Sequence, residues 1–169
     1  MSTLNVDTLQ DKAGAFEHAR LVQVVNTETG AVATGTTVLP NDDTIPQNDE
    51  GNEFMTLAIT PTHASNKLLI QVTIILASSV NGSRVGAPLF QDSTAGALAT
   101  AGSYASNKAD TFSDITYSHY MTAGTTSSTT FKVRGGVEDS ATVTMNGEGG
   151  TRTHGGIMAS SITISEIRV

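Results

Sequence analysis

Lys67-Leu68-Leu69-Ile70-Gln71-Val72-Thr73-Ile74-Ile75-Leu76-Ala77 decides the fold class. Leu68, Ile70, Val72, Ile74 and Leu76 recur at every second position, which on a pleated strand places all five on one face. Gln71 and Thr73 fall on the opposite face beside Leu69 and Ile75, so that face is only partly polar. A central strand covered on both sides is the expectation.

The same two-residue period continues on either side. Upstream, Met55, Leu57 and Ile59 alternate with Phe54, Thr56, Ala58 and Thr60, predicting a strand with one buried face that Pro61 ends. Before it lies an acidic loop, Pro40 to Gly51, bounded by Pro40 and Pro46. Earlier still, Leu21 to Val25 is a β-branched run, Glu28-Thr29-Gly30 reads as a turn, and Ala31 to Leu39 resumes strand spacing. Downstream, Asn81-Gly82 and Asn146-Gly147 read as hairpin turns. Phe112–Met121, Thr129–Arg134 and Ala141–Met145 read as strands, and Arg134-Gly135-Gly136 as a strand-to-turn exit. Val85 to Lys108, rich in Ala, Gly and Ser, gives no clear period.

The closing stretch from Gly156 to Val169 changes parity. Met158, Ile162 and Ile164 share one face, Ile167 and Val169 the other, and a bulge or a change of packing partner near Ser165 would account for it. Eight to ten strands with no long helical period predict an all-β fold, a single β-sandwich or jelly roll over 21–169. Residues 1–20 stand apart as an extended N-terminal arm. Leu4, Val6 and Leu9 are spaced regularly enough to dock on another subunit or protein, and a loose terminus is the alternative.

Composition narrows the function. A chain of 169 residues with 38% hydrophobic and 15% charged residues, and about a quarter Ser and Thr, has a polar but largely uncharged surface. A net charge of −7 with nine scattered Lys and Arg argues against nucleic acid, which needs clustered cations. The absence of cysteine excludes disulfides and thiolate metal sites. Met1 to Gln10 is too polar for a signal peptide, and no apolar run reaches membrane-spanning length.

No motif commits the chain to catalysis. Asp114 and Ser118 would face one side of a strand and His119 the other, so they cannot converge as a triad. His18, His63, His119 and His154 have no ligand spacing, although a threefold axis could gather three copies of one of them around a metal or an anion. Asp42, Asp43, Asp49, Glu50 and Glu53 have the oxygen chemistry of a Ca²⁺ loop without its spacing, and read as ordinary loop chemistry. Gly147 to Gly150 reads as a surface loop between strands. Tyr104, Tyr117 and Tyr120 could touch sugars or serve packing. The expectation is a protein that is not an enzyme and carries neither cofactor nor metal.

Three stretches support a resemblance. Ser2 to Gln10 resembles the start of marine-phage tail-fibre and appendage proteins. Leu57-Ala58-Ile59-Thr60-Pro61-Thr62-His63-Ala64-Ser65-Asn66-Lys67-Leu68-Leu69-Ile70 is similar to a recurring segment of phage virion proteins, and Ser161 to Ile167 to their closing strand. The resemblance implies a trimeric jelly roll like the C1q and tumour-necrosis-factor fold, with the last strand at the subunit interface. It implies a virion protein of a tailed bacteriophage, folded in the host cytoplasm and released by lysis. One compact domain with an arm and no shaft suits a capsid decoration or cement homotrimer, with Leu4, Val6 and Leu9 gripping the major capsid protein or another virion protein. The alternative is a short tail fibre or receptor-binding tip that recognises a host glycan.

Overall fold

The computed structural model describes residues 20–104 and 107–169, so Leu4, Val6 and Leu9 lie outside the described residues. Thirteen strands are assigned within those ranges: β1 (Arg20–Thr29), β2 (Ala33–Gly35), β3 (Asn52–Ile59), β4 (Lys67–Ser78), β5 (Arg84–Gly86), β6 (Leu89–Gln91), β7 (Gly102–Tyr104), β8 (Phe112–Thr122), β9 (Thr129–Val137), β10 (Val143–Met145), β11 (Gly147–Glu148), β12 (Thr151–Arg152) and β13 (Ser160–Arg168). A 3-10 turn at His154–Gly156 interrupts them. The chain is all-β.

The first sheet runs β1-β13-β4-β8, all antiparallel. On one edge β4 pairs with β13 over Lys67–Thr73 and then with β10 over Leu76–Ser78, while β2 pairs with β10. The second sheet runs β3-β9-β5-β7, with β6 following β5 along the same edge of β9. The chain crosses between the sheets repeatedly, and its last strand inserts between β1 and β4. That strand order is a jelly roll.

The core lies between the sheets. Leu68, Ile70, Val72, Ile74 and Leu76 are each 0% exposed, as their alternation predicts. They meet Ile162 and Ile164 of β13, Met55 and Ile59 of β3, and Phe131 and Val133 of β9. The other face of β4 points away from the second sheet, with Leu69, Thr73 and Ile75 half-buried and Gln71 exposed. Cover on both sides is therefore not found within the described chain.

Several local expectations are corrected. Asn81-Gly82 does not close a hairpin, because β4 and β5 belong to different sheets and the dipeptide turns the corner between them. Asn146-Gly147 is not a turn tip either. Asn146 is fully buried at φ 55°, and the hairpin tip between β11 and β12 is Gly149-Gly150, both at positive φ as a two-residue loop requires. Asn146 sits where β10 and β13 meet the same edge of β4. Its N–H donates to the Ile75 carbonyl at 3.1 Å, and its amide to the carbonyls of Thr29 and Ala31 at 2.7 and 3.1 Å. The Ser160 hydroxyl donates to Asn146 Oδ1 at 2.7 Å and accepts from the Ile75 N–H at 3.1 Å. Two side chains thus close the gap that the change of partner leaves in the ladder.

The expected strand over Ala31–Leu39 shortens to β2, which runs on from β1 instead of folding back against it. Arg134-Gly135-Gly136 lies inside β9 and not at its exit. The Arg134 guanidinium donates to the carbonyls of Glu50 and Gly51 at 2.7 and 2.6 Å. A Cβ at Gly136 would stand 2.7 Å from Leu39 Cβ and 3.1 Å from Gly51 Cα. The glycine therefore lets both ends of the acidic loop lie directly on the sheet. The parity change in the last strand involves no bulge in β13. The register shift is in β1, between Leu21 and Gln23, and the inner position after Ile164 belongs to Glu166.

Candidate functional site

Glu166 has no exposed surface and faces the core end of the sandwich. Its Oε1 accepts from the Thr62 N–H at 2.8 Å, the Thr62 hydroxyl at 2.8 Å and the Asn66 amide at 2.6 Å, and its Oε2 from the Gln23 amide at 2.6 Å. Burial works to raise this carboxyl, but the bonds from Asn66, Gln23 and Thr62 together outweigh it and hold the group at about 2. The last strand thus clamps the Thr62–Asn66 loop that feeds β4. Two of the stretches that carry the phage resemblance are in contact here, and no apolar periodicity could have revealed it.

The outer face of the first sheet follows from the registers. Tyr120, Leu69, Ser165 and Val24 form one row across β8, β4, β13 and β1. Thr122, Lys67, Ile167 and Leu21 form the next, and on the other side come Ser118, Gln71, Thr163 and Asn26, then Thr116, Thr73, Ser161 and Glu28. Of these sixteen residues only Lys67 and Glu28 are charged. Leu21, Val24 and Tyr120 are 59%, 50% and 54% exposed, beside half-buried Leu69 and Ile167. Hydroxyl and amide contacts tie the polar rows together, Thr73 to Thr116 at 3.3 Å and Asn26 to Thr163 at 2.8 Å.

A second surface lies at β7, an edge of the second sheet. The acidic loop leans over it because Leu39 sits against Gly86, where a Cβ would come within 2.7 Å of Leu39 Cδ2. Between them is a hollow of about 440 Å³ lined by Asp42, Thr44, Arg84, Ser103 and Tyr104 among others. A further hollow of about 300 Å³ shares Asp42, Thr44, Pro46 and Thr100 with it and reaches Asp43 and Ile45. Asp42 Oδ1 accepts from the Thr44 hydroxyl and N–H at 2.6 and 2.9 Å, and these bonds lower its pKa. The Arg84 guanidinium lies 5.8 Å from the Tyr104 ring centre and 3.3 Å from both Glu138 oxygens.

The remaining candidates scatter. Asp114 and Ser118 are exposed on the outer face, and His119 is half-buried on the other side of β8. Tyr117 points inward, its hydroxyl donating to the Ala87 carbonyl at 2.6 Å, and burial pushes its phenol up. His63 bonds Ser65 at 2.9 Å, His154 packs 6.4 Å from Phe112, and His18 lies outside the described residues. Among the described residues no three His, Asp or Glu side chains gather as a metal site, and no helix is long and apolar enough to cross a membrane. Of the acidic residues named for Ca²⁺, Glu50 accepts from the Gln47 N–H at 2.9 Å and Glu53 lies 3.5 Å from Lys132.

No family model matches the chain, and no curated protein matches it in sequence. Among solved structures it is similar to the Eiger TNF of S. frugiperda, at 10% identity and TM-score 0.48, covering 88% of this chain and 94% of that one. It is also similar to the sugar-binding C-terminal domain of EclA, at 16% identity and TM-score 0.37 over 82% and 86%. A chain of infectious bursal disease virus, Gt strain, overlaps at 14% identity and TM-score 0.45, over 98% of this chain but only 42% of that one. At these scores the overlaps say nothing of function. It is the chain's own strand order that identifies its described residues as an all-β jelly roll.

Proposed function

We propose that the chain is a non-enzymatic structural protein on the exterior of a tailed-bacteriophage particle, a decoration or cement protein of the head that acts as a homotrimer. The observation that supports self-association is the outer face of the first sheet. Leu21, Val24 and Tyr120 stand exposed on it beside half-buried Leu69 and Ile167, and two of the sixteen residues in its four rows are charged. Exposed aromatic and aliphatic side chains with few charges between them have the composition of an interface core. Four strands and four rows make a patch of roughly 400 Å² from strand and row spacings, about half of one partner's share in a standard interface. The resemblance of Ser2–Gln10 and of Leu57–Ile70 to virion proteins supports the particle, and the arm with Leu4, Val6 and Leu9 would anchor the trimer to the major capsid protein. Binding the assembled shell in preference to loose subunits then stabilises it.

Sedimentation velocity tests the oligomer. The expected mass is three times 17.5 kDa, falling to one copy in Leu69→Lys. A wild-type monomer at tens of micromolar would reject self-association. Immunogold labelling of purified phage tests the location: label over the head supports decoration, label at the tail makes the chain a fibre tip, and unlabelled particles remove the virion reading.

A further inference from the structure

We propose that the groove between the acidic loop and β7 is a saccharide-binding site, in which a hexose lies on the Tyr104 ring with its hydroxyls held by Asp42 and Arg84. The chain has only eight aromatic residues, five Phe and three Tyr. Tyr104 is one of them, yet it is 55% exposed at the rim of a hollow of about 440 Å³. A tyrosine in that position offers an apolar face to the C–H side of a pyranose, which loses water on contact. The volume lies within the range of about 300–1,000 Å³ usual for small-ligand sites. A second hollow of about 300 Å³ has Asp42, Thr44, Pro46 and Thr100 in common with it.

The polar groups have protein partners before a ligand arrives. Thr44 holds Asp42 through Oδ1, and Glu138 holds Arg84, which in turn lies against Tyr104. This matters for sugars in particular. Each hydroxyl trades a water bond for a protein bond at small net gain, so affinity depends on spending little entropy on ordering the site. The lining also selects the ligand class. It mixes an acceptor carboxylate, a donor guanidinium and the hydroxyls of Thr44 and Ser103, which suits vicinal hydroxyls that both donate and accept. A phosphate or sulfate would face Asp42 on a chain of net charge −7.

The site is independent of the assembly reading, because it is built on the second sheet and the proposed self-association face belongs to the first. A trimer joined through the first sheet could bind sugar at each groove.

The test is an array of glucose, galactose and mannose oligosaccharides probed with the full-length chain, followed by saturation-transfer NMR with the best hexose oligosaccharide. Transfer concentrated on the C–H face of one ring is expected. Tyr104→Ala and Asp42→Asn are each expected to weaken binding about tenfold, as loss of a central anchor does, with melting temperature and sedimentation unchanged. Ile157→Ala, which removes an exposed apolar side chain outside both the groove and the outer face of the first sheet, is expected to leave binding intact. Binding to no hexose oligosaccharide, or equal binding by Tyr104→Ala, overturns the proposal. Capture of extended peptides in place of sugars overturns it too, and would assign the groove to strand addition along β7.

Discussion

A carboxylate with no exposed surface and four neutral donors is an uncommon way to end a core. Glu166 occupies an inner position of β13 where Ile162 and Ile164 lead one to expect a third apolar residue. Its folded pKa of about 2 lies below the usual carboxylate value, so the unfolded chain binds the proton more readily. The stability it contributes is present above the unfolded value, near 4.5, and is lost as pH falls towards 2. That loss amounts to up to about 3 kcal/mol. Denaturant titrations from pH 7 to pH 2 should show it, and Glu166→Gln should flatten this acid limb. The same variant turns an amide donor towards the Gln23 amide, so a loss of about 2 kcal/mol is expected at pH 7. Asn146→Ala would leave the carbonyls of Thr29 and Ala31 without that donor and force alanine to positive φ. A loss of about 2–4 kcal/mol in chemical unfolding is expected.

Among the elements, β4 organises the molecule and β9 organises the loop that builds the groove. β4 takes partners on both edges, with β8 opposite eleven of its twelve residues. β9 carries Gly136, over which the two ends of the acidic loop are laid. Gly136→Ala places a methyl against Leu39 Cβ and the Gly51 backbone, neither a flexible side-chain end. A destabilisation of about 1–3 kcal/mol is expected, together with faster proteolysis within 40–50, where the loop would lift from the sheet. If 40–50 stays protected in that variant, Gly136 is not what seats the loop.

On the scale of the molecule, the jelly roll offers two surfaces of different character on its two sheets. Deleting residues 1–19 stops short of Arg20, which opens β1 opposite Arg168 one residue inside the expected arm. The shortened chain should keep its melting temperature and its number of copies while losing attachment to purified capsids, measured by co-sedimentation. Capsid binding that survives the deletion would sink the anchoring role of Leu4, Val6 and Leu9. Leu69→Lys should do the opposite, splitting the oligomer while each copy stays folded, because that position is on the outer face.

The sequence by itself determined the all-β class, the buried face of β4 and the alternation of β3, since side-chain direction on a strand has a period of two whatever the strand packs against. It also marked the acidic loop and Tyr104 separately, as loop chemistry and as an aromatic. Tertiary structure decided everything that depends on which edges meet. Asn146 carries the same dipeptide signal as a hairpin tip, and only the meeting of β10 and β13 on one edge of β4 makes it a buried bridge. Glu166 reads as a surface residue until Thr62 and Asn66, about a hundred positions earlier, fold over it. Asp42, Arg84 and Tyr104 are spread over more than sixty residues, and they share a groove because Gly86 lets Leu39 bring the loop down on the edge of the sheet. Periodicity encodes direction along one strand. Contact between strands far apart in sequence depends on register and crossover, which no local pattern contains.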